Sequence, residues 1–210
     1  PTHKFSSTQV ALPEAIAQRV KAEAAKIPNE HLAEDGREVD PHITVKYGLH
    51  GDDATKLTEI LRNEKPITVK LGKTSIFPAN DSRPSDVVKV DVDSKDLHRL
   101  NKKIADAIDH TDTYPTYTPH LTLAYVKPGI GKMYEGSDAL AGSTATISSI
   151  AFSDRNRNKI EIPLGSSQSA TASEIRPSEV VASEPPRPQT SIEAVSYTHL
   201  RAHETPEHLV

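Results

Sequence analysis

A seven-residue pattern occurs twice in this chain. Pro41-His-Ile-Thr-Val-Lys-Tyr47 returns 78 positions later as Pro119-His-Leu-Thr-Leu-Ala-Tyr125, and both copies read Pro-His-apolar-Thr-apolar-x-Tyr. A bare His-x-Thr means little in a chain with 10 histidines and 18 threonines, and His203-Glu-Thr205 is what chance alone supplies. Six matched positions out of seven in two alternating segments instead indicate a duplicated architecture with one copy in each half.

Alternation sorts the motif residues, because successive side chains of a strand point to opposite faces. His42, Thr44 and Lys46 are expected on one face and Ile43, Val45 and Tyr47 on the other; His120, Thr122 and Ala124 oppose Leu121, Leu123 and Tyr125 in the same way. The apolar face belongs under helices, with Tyr47 and Tyr125 as packing residues, which leaves the His/Thr face open. If the two halves face each other, two imidazoles and two hydroxyls converge on one cleft. That set suits a phosphate: a hydroxyl donates to a phosphoryl oxygen, and an imidazole near neutral pKa takes or gives a proton.

The rest of residues 1–165 supplies small antiparallel sheets and covering helices. Strands are expected at 4–12, 42–49, 67–77, 87–92, 120–126, 146–152 and 159–163, the last two forming a hairpin around Asp154-Arg-Asn-Arg-Asn158. Pro13 opens a helix running to Lys26 with Ala15, Ile16, Val20 and Ala24 as its stripe. Residues 52–63 and 95–108 read as two more helices, the latter on Leu97, Leu100, Ile104 and Ile108. A short helix is expected near 134–140, and 27–41 and 111–119 read as loops. The order predicts an α+β fold: two pseudo-symmetric lobes, each a small mostly antiparallel sheet with helices outside, and a cleft between them.

Composition narrows the function. The absence of cysteine removes disulfides, thiolate catalysis and cysteine-ligated zinc, and no stretch approaches the roughly 18 apolar residues of a membrane helix. Of 25 basic and 29 acidic residues, only 3 and 6 lie beyond Gly165, so the domain is nearly neutral and is no clamp for a long duplex nucleic acid. Residues 166–210, rich in Ser and Pro, are expected to be a disordered tail, and a chain ending at Gly165 is expected to melt where the full chain does. Residues 195–205 read as the conceptual translation of a sequencing adapter, a scar rather than a functional segment. The start at Pro1 without a methionine is what is expected of a fragment of a gene read from shotgun, metagenomic DNA.

Paired His-x-Thr motifs on strands of two similar lobes resemble the 2H phosphoesterase superfamily, which includes 2′-5′ RNA ligase-like proteins and 2′,3′-cyclic nucleotide phosphodiesterases. The resemblance covers residues 1–165. Ser6-Ser-Thr-Gln-Val10 and Gly36-Arg-Glu-Val-Asp-Pro-His-Ile-Thr-Val-Lys-Tyr-Gly-Leu49 look like a branch common in bacteria and bacteriophage. It implies that one of His42 and His120 is general base and the other general acid, that Thr44 and Thr122 hold phosphoryl oxygens, and that no metal or other cofactor is needed. The sequence has no His-Glu-x-x-His pattern either.

Around that centre, Gln9, Lys46, Tyr114, Tyr117, Arg155 and Arg157 are candidate substrate contacts, Lys46 through phosphate and the tyrosines through base stacking. His3, His31, His50, His98 and His110 stand outside any motif and read as surface residues. The expected activity is metal-independent cleavage of a ribose-linked phosphodiester in a nucleotide or short RNA-like substrate, by a cytoplasmic monomer. The alternatives are hydrolysis of a cyclic oligonucleotide defence signal and a non-catalytic module that binds nucleotides or RNA ends.

Overall fold

The structure, a computed structural model, describes residues 3–165. In chain order its elements are β1 (Ser6–Ala11), α1 (Glu14–Ala25), β2 (Leu32–Arg37), β3 (His42–Leu49), α2 (Thr55–Leu61), β4 (Ile67–Phe77), β5 (Asp86–Asp93), α3 (Lys95–Ala107), β6 (His120–Val126), β7 (Thr144–Ile147), β8 (Ser149–Ser153) and β9 (Lys159–Pro163). The tail and the 195–205 segment lie outside the described residues. Among those residues no helix is long and apolar enough to cross a membrane.

The fold is α+β, but its strands are joined in one mostly antiparallel sheet where two small ones were expected. The path is β7-β4-β5-β6-β3-β1-β8-β9, with β2 attached to β6. Near its middle the sheet narrows to a single pairing, Ile43 of β3 with Leu121 of β6. Beyond that pair β6 turns to β2, which pairs with it at Leu32–Val126 and Arg37–Ala124. The two motif strands therefore touch at their histidine ends and part further along.

Apolar periodicity explains the helices. Ser94 caps α3 by accepting the Leu97 N–H at 3.3 Å, and Leu97, Leu100 and Ile104 are buried on its inner face. Pro13 precedes α1 as expected, but the buried stripe is Ala17, Val20 and Ala24, with Ile16 partly covered and Ala15 exposed. The helix expected over 52–63 shortens to α2, because Asp53 accepts the Thr55 N–H at 2.8 Å and so starts the helix later. These helices cover Val10, Ile43, Val45, Leu61, Leu71, Val90 and Leu121 in one hydrophobic core.

Three expectations are corrected. Residues 32–37 form β2 where a loop was expected: the segment is polar and largely unburied, so it lacks the alternation that marks a strand. The short helix near 134–140 is a 3₁₀ turn at Gly131–Tyr134. The strand expected over 146–152 breaks at Ser148 into β7, paired with β4, and β8, paired with β1 and β9. One residue thus joins strands near opposite ends of the sheet path. That is possible only because the sheet curls on itself.

Candidate active site

Beside the Ile43–Leu121 pair, antiparallel register sets His42 opposite Thr122 and Thr44 opposite His120. Ile43 and Leu121 are fully buried whereas all four of these neighbours are half-buried, so the polar quartet shares the face away from the core. Opposed side chains of regularly paired strands start about 5 Å apart and diagonal ones roughly 7–8 Å, so the pairing at Ile43–Leu121 makes the two histidines and two threonines neighbours. His120 also senses the charge of His42.

Each histidine is oriented by the residue two positions before it. His42 Nδ1 donates to the Asp40 carbonyl at 2.8 Å, and His120 Nδ1 donates to the Thr118 carbonyl at 2.8 Å. A carbonyl only accepts, so Nδ1 carries the proton and the neutral ring presents the Nε2 lone pair outward. The motif prolines suit this arrangement: Pro41 and Pro119 disfavour helical backbone at residues 40 and 118 and bring no N–H of their own.

The expected strict alternation fails at the same place in both copies. Thr8 pairs with Lys46 and Gln9 with Thr44, which leaves Val45 as an extra residue in β3. Val88 pairs with Ala124 and Lys89 with Thr122, which leaves Leu123 extra in β6. Both are β-bulges, and a bulge resets the side-chain alternation. Tyr47 and Tyr125 are consequently half-buried rather than core residues: Tyr47 meets the Phe5 ring edge-on at 5.9 Å, and Tyr125 lies close enough to the Thr122 hydroxyl to interact with it. Lys46 leaves the open face expected for it. It is 7% exposed at the station that Ala124 takes in β6, and its Nζ pairs with Asp112 at 2.6 Å.

The outer candidates are placed as follows. Gln9, 9% exposed, pairs with Thr44 across β1 and β3. Tyr114 is 67% exposed in the loop before β6 and interacts electrostatically with Tyr125. Tyr117 donates its hydroxyl to the Thr44 carbonyl at 2.8 Å, and burial pushes its phenol pKa up; it ties the loop to β3 rather than standing free to stack. Arg155 forms an exposed two-pronged pair with Asp52, and Arg157 bonds His3 at 3.0 Å, so both guanidinium groups of the β8–β9 hairpin are engaged by residues outside it, before α2 and ahead of β1. Among the described residues no three His, Asp or Glu side chains gather as a metal-binding group.

The structure adds neighbours that the sequence reading passed over. Lys89, opposite Thr122, is 3% exposed; its Nζ donates to Ser75 Oγ and to Asp91 Oδ1, each at 2.6 Å, and lies 4.4 Å from the centre of the Phe77 ring. Phe77 meets His120 edge-on at 4.9 Å. Burial pushes the His120 pKa below its ordinary value, with Lys89 and His42 adding to that and the Thr118 carbonyl and Asp91 opposing it. For Asp91, burial acts to raise the carboxyl, and the bonds from Lys89 and Ser75 outweigh it, so the net shift is downward. The signal was present as Val88-Lys-Val-Asp-Val92, in which alternate positions are charged.

No curated protein sequence matches this chain. Among solved structures, it is similar to Usb1 of Kluyveromyces marxianus at 9% identity and TM-score 0.54, over 77% of this chain and 99% of that one. Usb1 with uridine monophosphate gives 9% and 0.52 over 76% and 98%, and E. coli LigT complexed with 3′-AMP gives 18% and 0.48 over 78% and 96%. At this identity the likeness to Usb1 is one of fold. The family itself is set by sequence: the model described as the 2′-5′ RNA ligase superfamily matches residues 12–159, a span that takes in both His-x-Thr strands, and the chain belongs to that superfamily.

Proposed function

We propose that this protein is a metal-independent phosphodiesterase of the 2H type, opening a 2′,3′-cyclic phosphate or cleaving a 2′-5′ linkage in a nucleotide or short RNA-like substrate. The observation that carries the reading is the matched pair of strands. Each has the same bulge, the same proline-assisted histidine bond and the same burial sequence, and their register seats His42, Thr44, His120 and Thr122 on one face. We read β3-β1-β8-β9 and β7-β4-β5-β6 as two pseudo-symmetric lobes that meet there. Usb1, which shares the fold, was solved with uridine monophosphate, and the near-neutral domain suits a small ligand better than a long polyanion.

In the hydrolytic direction, water attacks phosphorus and gives its proton to the neutral Nε2 of one histidine. The bond from phosphorus to the leaving ribose oxygen breaks, and that oxygen takes a proton from the other, protonated imidazole. Thr44 and Thr122 donate to the phosphoryl oxygens as charge builds on them. One water is consumed, and both rings return to their starting states by exchange with solvent.

The test is incubation with 2′,3′-cyclic, 2′-5′ linked and cyclic dinucleotide substrates in EDTA, with product identification. Turnover of a ribose-linked diester is expected to persist in the chelator. Its pH profile is expected to be bell-shaped, because one imidazole must be neutral while the other is charged. Thr44→Ala and Thr122→Ala should weaken binding and turnover together, since those hydroxyls touch phosphate in both ground and transition states. Activity lost in EDTA and restored by zinc or manganese would make the histidines metal ligands and sink the acid–base reading.

A further inference from the structure

The two halves match in backbone but not in charge. Gln9 pairs with Thr44 and Ala11 with His42; at the corresponding stations of the other half, Lys89 pairs with Thr122 and Asp91 with His120. In both halves the bulge falls one step beyond the threonine pair, so Gln9 and Lys89 are equivalent positions on neighbouring strands. One histidine therefore has an amide and a methyl group beside its strand. The other has a buried ammonium and a carboxylate.

We propose that Lys89, held by Asp91 and Ser75 beneath the Phe77 ring, is a positioning residue that makes the two histidines unequal, so that His120 is the proton acceptor and His42 the donor. The proposal rests on the acid–base reading above. The fold does not require a cation at this station, since Gln9 occupies its counterpart. A buried ammonium is also poorly justified by stability alone, because its desolvation offsets much of its pairing.

The surroundings of His120 favour the neutral ring. From β5 it faces Lys89 and Asp91, from β3 His42, and from β4 the uncharged Phe77, over which Arg83 also lies at 5.4 Å. Two groups there favour an imidazolium, the Thr118 carbonyl and Asp91, and Asp91 is the one anion of the pair, its Oδ1 already bound by Lys89 and Ser75. Around His42 the charged groups run differently: Asp40, two residues before it, feels its charge and is paired with Lys159 at 2.5 Å and within the field of Lys21. In the hydrolytic direction His120 Nε2 takes the proton of the attacking water while the phosphorus–oxygen bond breaks, and His42 Nε2 protonates the departing oxygen.

Imidazole nitrogen NMR titration of the full chain, without substrate, tests this directly. In the wild type His120 should titrate below His42. Lys89→Gln, which copies the other half, should raise the His120 midpoint by about one pH unit, because removing a nearby positive charge eases protonation. Asp91→Asn should lower it, because removing a negative charge hinders protonation, and Lys89→Arg should leave it near the wild-type value. The limb of the kcat/KM profile that reports the base should move in step. An unmoved His120 midpoint in folded Lys89→Gln and Asp91→Asn, or a wild-type His42 that titrates below His120, overturns the proposal. If these shifts occur but no phosphodiester is turned over, the unequal histidines stand and the reaction assigned to them fails.

Discussion

His42→Ala and His120→Ala are each expected to lower kcat by about 10²–10⁴-fold, the usual worth of a placed proton-transfer group. Affinity for an uncleavable substrate analogue should change only a few-fold, since the proposed function leaves phosphate binding to Thr44 and Thr122. The double variant should be little slower than either single one. Proton removal and proton delivery belong to one step, so once either fails the other has nothing left to accelerate. Steady-state kinetics with calorimetric binding on the same proteins separates the cases. Losses that multiply, or affinity that collapses along with kcat, would assign the histidines to binding instead.

Gly48→Ala is expected to be the costliest small substitution near the site. Gly48 in β3 has φ +90°, and an added Cβ would lie 2.1 Å from the Thr111 carbonyl oxygen. The approach is close because the 109–111 segment is zipped onto the end of β3: Thr111 donates to the Gly48 carbonyl at 2.9 Å and His50 to the Asp109 carbonyl at 2.9 Å. An L-residue at positive φ costs about 1–2 kcal/mol, and pushing the segment away adds roughly 1 kcal/mol for each hydrogen bond lost. A total near 3 kcal/mol should lower the melting temperature by roughly 6–12 °C. Gly51→Ala is the control, for Gly51 has φ +84° but nothing within 4 Å of the added carbon; it should show only the backbone part. Equal losses in the two variants would mean that the contact with Thr111 is easily relieved.

The local elements were legible because their signals sit on adjacent residues. Leu97, Leu100 and Ile104 repeat at helical spacing behind a serine cap, and β1, β3, β4, β5 and β6 all fall where apolar alternation puts strands. The repeated Pro-His-apolar-Thr-apolar-x-Tyr pattern also named the four polar residues that the register gathers on one face. β2 escaped notice because its residues pair only with a distant strand and bury little, and the corner at Ser148 did so because nothing in residues 146–152 records that the sheet has curled around to meet them.

The sequence by itself singled out the paired His and Thr residues and the strands that bear them. Tertiary structure decided which groups surround them. Strict alternation put Lys46 beside the histidines, yet the extra residue at Val45 exists only relative to Thr8 and Gln9, more than thirty positions away. Lys89 comes to Thr122 in the same manner, through a pairing between β5 and β6 that no local pattern specifies. Periodicity is a property of neighbours in the chain, whereas register, bulges and the electrostatic field at an imidazole are properties of strands brought together by folding.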